Sequence, residues 1–305
     1  MNESIDVGNR ARTYTVVGEP STEPRALIMV FHGSRQTGAI HREFTGGALD
    51  GLAAEGRAVV AYLDGYRGNW NDARRESSFP ARLEEVDDVG FARAVVARLT
   101  ATHGIDPRRV VVVGYSNGGQ MALRLLHETP DLVAGAVVVA ATMPDERGFT
   151  AGFSTAPQQR PVPVTIVAGT ADPIVPYSGG RMRWWARKLF KIDGAALSAE
   201  ATADYFASRN GIRATPTIET LPAASRRTRT TRTDYRADGR PSVSLVTVIG
   251  GGHTVPAAKA GPAVVGATGH DLTIDRIVSQ MLDEVAVDAI GSGIHPSPDL
   301  RQTGS

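Results

Sequence analysis

The chain has 305 residues, 42% hydrophobic and 21% charged, enough to bury a full core in one large α/β domain. A net charge of +1 offers no global field to nucleic acid or an anionic membrane, and the absence of cysteine excludes disulfides and thiolate metal sites. No apolar run reaches the length of a membrane span, and the opening MNESIDVGNRARTYTVV lacks the basic and apolar regions of a secretory signal, so the expectation is a cytoplasmic protein.

Residues 12–17 (RTYTVV) alternate polar and apolar, as a half-exposed strand does. Residues 26–31 (ALIMVF) form a strand buried on both faces, running into His32-Gly33-Ser34-Arg35-Gln36-Thr37-Gly38. A short helix over 49–55 and a strand over 57–63 (RAVVAYL) follow. That strand feeds the loop 64–71 (DGYRGNWN), where Tyr66 and Trp70 suit either a pocket wall or simple loop packing. Residues 84–102 are expected to form one long helix with Val86, Val89, Phe91, Val95, Val96 and Leu99 inward, and Asp87 and Asp88 serving its N-terminus.

Next, residues 110–113 (VVVV) read as a strand, Gly114-Tyr115-Ser116-Asn117-Gly118 as a G-x-S-x-G, and Met121, Ala122, Leu125 and Leu126 as the inward face of a helix ended by Pro130. Strand, G-x-S-x-G and helix together make the context of a nucleophile elbow. Beyond it come a strand over 134–141, another over 164–168 ending in Gly169-Thr170-Ala171-Asp172-Pro173, and a helix over 198–210. A strand over 242–249 ends in Gly250-Gly251-Gly252-His253, and a helix spans 271–285. This alternation predicts a doubly wound, mostly parallel sheet with helices on both faces. A single domain over residues 1–290 and a disordered tail over 291–305 are expected.

Ligands in such sheets gather beyond the carboxyl ends of the strands. Ser116, Asp172 and His253 each lie at a strand end, in the chain order nucleophile, acid, base of α/β-hydrolases. A serine hydroxyl needs a neighbouring base to attack, and the base needs an orienting acid. Two converging N–H groups must hold the oxyanion. Asn117 supplies one, and the loop after the early strand supplies the other, assigned to Ser34 with Arg35 one residue away.

At these residues the chain resembles the polyhydroxybutyrate-depolymerase-like esterases, the α/β-hydrolase group that also includes acetylxylan and feruloyl esterases. The matching pieces are RTYTVV, FHGSRQTG, YLDGYRGNW, DDVGF, GYSNGGQMA, GTADPIVPY and GGGHTVP, spread from Arg12 to the C-terminal helix. The resemblance implies Ser116 as nucleophile, Asp172 as triad acid and His253 as base, acting on a small ester without a cofactor. Where relatives commonly read GHTWPG, this chain has Val255 and Ala257.

Residues 181–192 (RMRWWARKLFKI) are basic and amphipathic, with Met182, Trp185 and Leu189 on one stripe. Within the stretch 178–197 they suit a lid or pocket wall, a packed surface helix, or a membrane-surface helix. Arg226, Arg227, Arg229, Arg232 and Arg236 alternate with threonines as in solvated strands. His41, His103, His127 and His270 lack metal-ligand spacing, and no phosphate-binding glycine loop occurs. The leading expectation is a serine carboxylester hydrolase. An acyltransferase or cyclising thioesterase using the same acyl-enzyme, and a non-catalytic binder on a hydrolase fold, stand as alternatives.

Overall fold

The computed structural model describes residues 1–150, 160–182, 184–190 and 194–291. An N-terminal hairpin of β1 (Asn2–Val7) and β2 (Arg10–Val17) leads to β3 (Arg25–Phe31), whose residues after Arg25 are all buried. Helices α1 (Gly38–Phe44) and α2 (Asp50–Ala54) connect to β4 (Ala58–Leu63). Then follow α3 (Pro80–Leu83), α4 (Asp88–His103), the long β5 (Ile105–Tyr115), α5 (Asn117–Glu128), β6 (Gly135–Val139) and β7 (Val164–Gly169). A two-residue pair, β8 (Gly180–Arg181) and β9 (Ala195–Ala196), flanks α6 (Trp184–Phe190). The chain closes with α7 (Ala199–Arg209), β10 (Thr217–Thr220), β11 (Arg229–Tyr235), β12 (Val243–Ile249) and α8 (Ile274–Gly291).

Ten strands form one sheet in the order β1-β2-β4-β3-β5-β6-β7-β12-β11-β10. The six central strands, β4 to β12, pair in parallel, and an antiparallel pair flanks each side. Continuous apolar runs make sense here, because alternate residues face opposite layers. Val110 and Val112 of β5 pack with Phe91 and Leu99 of α4 and Met121 of α5, whereas Val111 and Val113 pack on the other side with Leu52 of α2 and Val278 of α8. Among the described residues, no helix is long and apolar enough to cross a membrane.

Two expectations are corrected, and two strands went unread. The helix expected over 84–102 begins only at Asp88, because Glu85 takes a left-handed φ of 47° and Asp87 caps the new helix through Oδ1, which accepts from Gly90 N–H at 2.7 Å. Strand β1 went unread because its alternation is half-polar on an edge, and β10 because every residue in it is exposed. Gly291 belongs to α8 rather than to a tail. The remainder of the expected tail, 292–305, lies outside the described residues.

A buried ion pair ties the hairpin to the start of α4, and the loop over 64–74 joins it there. Arg12 Nη2 donates to Asp88 Oδ1 at 2.7 Å, and Asp88 Oδ2 accepts from Asn71 N–H at 2.7 Å. Both side chains are almost wholly shielded, and burial pushes the Asp88 carboxyl pKa up against the pull of Arg12. Arg12→Met should therefore strand a buried carboxylate and cost about 3–5 kcal/mol of stability, read by urea unfolding at neutral pH.

Burial also lowers three histidine pKa values, His32 to about 4, His41 to about 3 and His127 to about 4. The unfolded chain takes up these protons near pH 6.5, before the folded one does, so this stability is complete above pH 6.5 and drains away as pH falls towards 4. Urea titrations should show stability falling by up to about 4 kcal/mol per pH unit near pH 5; a flat profile between pH 7 and 5 would contradict the buried-neutral assignment.

Candidate active site

Ser116 joins β5 to α5 in a backbone conformation (φ 53°, ψ −114°) that residues with a Cβ rarely adopt. Its N–H donates to Val139 O at 2.9 Å and its carbonyl accepts from Gln120 N–H at 3.1 Å, so the neighbouring strand β6 and the helix α5 hold the strained turn. Both glycines of the motif are steric requirements. A Cβ at Gly114 would stand 2.2 Å from Gly118 O, and one at Gly118 would stand 2.0 Å from Phe31 O.

His253 Nε2 lies 2.8 Å from Ser116 Oγ, and His253 Nδ1 lies 2.7 Å from Asp172 Oδ2. With the proton on Nδ1 donated to Asp172, Nε2 is free to accept from the serine hydroxyl. Asp172, at the end of β7, is held in turn: its Oδ1 accepts from Ile174 N–H at 2.7 Å and Val175 N–H at 2.8 Å. The loop after β12 is pinned by His253 N–H donating to Val265 O at 2.7 Å. Tyr115, the residue before the serine, donates its hydroxyl to His253 O at 2.7 Å and packs its ring 5.3 Å from the imidazole. The three residues expected from their strand ends thus come together in one hydrogen-bonded chain, with the side chains of His253 and Asp172 almost wholly shielded from water.

The loop after β3 lies across β5 from this chain. Arg35 N–H donates to Gly68 O at 2.8 Å, whereas the N–H groups of Ser34 and Asn117 donate to no protein acceptor among the described residues. Buried His32 braces the loop: its Nε2 accepts from Gly65 N–H at 2.8 Å, leaving the proton on Nδ1 for Gly33 O at 2.7 Å. The Asn117 side chain is fixed from both ends. Its Oδ1 accepts from Trp70 N–H at 2.9 Å, and its Nδ2 donates to the fully buried carboxylate of Asp72.

Ser116 opens into a pocket walled by Ser34, Arg74, Gln120, Ala140, Ala141, Ile174, Val175 and Met182. Trp70 is not part of it. Its indole is fully buried against Phe31 and His32, with Nε1 donating to His32 O at 2.9 Å, which corrects the pocket expectation. Tyr66 likewise points elsewhere, donating to Glu84 Oε2 at 2.8 Å between Arg10 and Arg67. Trp185 is 36% exposed and off the wall, whereas Met182 reaches it. The expected stripe breaks because α6 starts at Trp184, after Met182, and the Leu189 side chain lies outside the described residues. Arg74 and Gln120 were missed. The signal for the first was available in Asn71-Asp72-Ala73-Arg74, an acid and a base two residues apart directly after the glycine-rich loop. Among the described residues, no cluster of three or more His, Asp or Glu side chains could hold a metal ion.

Residues 27–290 match the Alpha/beta hydrolase family. The chain is 32% identical over 296 residues to a protein named as an esterase, NocK of Nocardia uniformis subsp. tsuyamanensis, covering 91% of this chain and 81% of that one. It is 28% identical over 204 residues to feruloyl esterase B of Piromyces equi, covering 67% of this chain and 35% of that enzyme. Among solved structures, the acetyl xylan esterase from Aspergillus awamori superposes with a TM-score of 0.55 at 18% identity, over 84% of this chain and 95% of that one, a likeness of fold. On the family match and the esterase relatives, the chain belongs to the alpha/beta hydrolase family, among its carboxylic ester hydrolases.

Proposed function

We propose that the protein is a serine esterase that cleaves short-chain carboxylic esters through an acyl-enzyme on Ser116. The observation that carries this reading is the unbroken pair of hydrogen bonds from Asp172 through the His253 ring to the Ser116 hydroxyl. Ser116 Oγ attacks the ester carbonyl while His253 Nε2 takes its proton, and Asp172 stabilises the imidazolium that results. The Ser34 and Asn117 N–H groups, without protein acceptors among the described residues, receive the oxyanion. His253 then protonates the departing alcohol, activates water by removing its proton, and finally returns that proton to Ser116 as the acid leaves.

The cavity beside Ser116 is small, about 20 Å³, which favours compact acyl groups such as acetyl or short hydroxyacyl chains. A feruloyl group needs a longer slot. A rate series over aryl esters of increasing acyl length, with feruloyl and acetyl-sugar esters alongside, should peak at two to four acyl carbons. Peak activity on feruloyl esters would overturn the compact-acyl assignment.

Ser116→Ala should keep the fold and lose about 10⁴-fold or more in kcat, together with labelling by a fluorophosphonate probe. Asp172→Asn should lose about 10⁴-fold with the serine still present, because the wrong imidazole tautomer then faces Oγ. Ester hydrolysis surviving in Ser116→Ala would end the proposal.

A further inference from the structure

Apart from Ser34, Gln120 and Ser116 itself, the wall of the nucleophile pocket is apolar, with one exception: Arg74, its charged residue among the described ones. A guanidinium in a half-closed pocket is costly unless it is paired, and Asp72 pairs it. Arg74 Nε donates to Asp72 Oδ1 at 3.2 Å and Nη2 to Asp72 Oδ2, while Arg74 N–H donates to Oδ1 at 2.8 Å. This fork fixes the plane of the group. It leaves Nη1 with no acceptor among the described residues, on a side chain that keeps 15% of its surface exposed. Gln120, on the same wall, gives its Nε2 to Thr142 O at 2.8 Å and has its Oε1 closed off from solvent.

The local charge count is unequal. Arg82 Nη2 donates to the carbonyls of Asp72 and Arg74 and has no carboxylate partner among the described residues, whereas nearby Arg124 is paired with Glu128 at 2.9 Å. Among the described residues, Asp72 is therefore paired with Arg74 alone, and the Arg82 guanidinium, held by the carbonyls of Asp72 and Arg74, leaves a positive charge behind the pocket wall. A rigid fork with one nitrogen lacking such an acceptor and a surplus positive charge is suited to a ligand oxygen that carries negative charge.

Resting on the esterase reading above, we propose that Arg74 is a specificity residue that binds a carboxylate borne by the substrate, so that the preferred substrate is an ester with a second, free carboxyl group. Asp72 holds Arg74 in place, and Arg82 keeps the site positive after that pairing. The carboxylate lies on the acyl or the alcohol half of the ester, and matched substrate pairs separate the two.

The test uses the intact chain with methyl hydrogen succinate against methyl butanoate, and 4-acetoxybenzoate against its methyl ester, each followed by acid release. Wild type should favour the charged member of at least one pair by about tenfold to a hundredfold in kcat/KM, the span of one charge-assisted hydrogen-bond pair. In Arg74→Gln that ratio should fall at least about tenfold, and Arg74→Lys should retain an intermediate ratio. Circular dichroism and fluorophosphonate labelling of Ser116 check that each variant is folded with a competent serine. Equal or better turnover of the neutral members by wild type, or a ratio unmoved in a folded Arg74→Gln, overturns the assignment and leaves the esterase reading standing. No hydrolysis of any ester, together with no labelling of Ser116, overturns both.

Discussion

The close approach of two backbones at the end of β5 is the constraint on which the rest of the site depends. Gly118 lies against Phe31 O and Gly114 against Gly118 O, at separations that no side chain could enter. That contact seats the start of α5 directly over β3 and β5, and it forces Ser116 into its left-handed conformation, at a strain cost of about 1–3 kcal/mol. The strain persists because the neighbouring strand β6 takes the Ser116 N–H and α5 takes its carbonyl. A relaxed serine would lie along the strand, away from the imidazole.

The elbow positions one side chain; the loops around it position the others. Residues 64–74 carry no regular element, yet they connect nearly every part of the site. Trp70 fills the space behind His32, Asn71 reaches Asp88, and Asp72 joins Asn117 to Arg74. These are buried groups that each make more than one hydrogen bond, which holds the loop in one arrangement. The glycine-rich start of the loop allows the chain to turn tightly enough for this. A Cβ at Gly65 would stand 2.7 Å from Asn69 O.

The same contrast explains what was legible in the amino-acid sequence. Strands β3 to β7 could be read because burial on both faces leaves an uninterrupted apolar run, and Ser116, Asp172 and His253 because each directly follows such a run. Pocket membership could not be read in this way. Trp70 and Tyr66 look like wall residues in a list of aromatics, but one satisfies its N–H inside the core and the other stacks between arginines at the surface. Arg74 looks like an ordinary surface charge, because its burial follows from Asp72, whose own burial follows from Asn117. Edge strands β1 and β10 escaped for the opposite reason: with one or both faces wet, they carry no apolar pattern to detect.

The acid of the site tolerates burial by a different device from the other buried carboxylates. Asp172 is shielded, and two backbone N–H groups and an imidazole N–H meet its oxygens, with no lysine or arginine paired to it among the described residues. Asp72 and Asp88 are equally shielded and are met by arginines instead. The difference matters for chemistry. A cation at Asp172 would compete with the imidazolium for the same oxygens and weaken the stabilisation that proton transfer from Ser116 requires, whereas fixed backbone dipoles hold the carboxylate and leave its remaining lone pairs directed at His253. Among the described residues, the arginine–carboxylate pair that reaches the pocket, Asp72 with Arg74, does so on the wall rather than in the proton path.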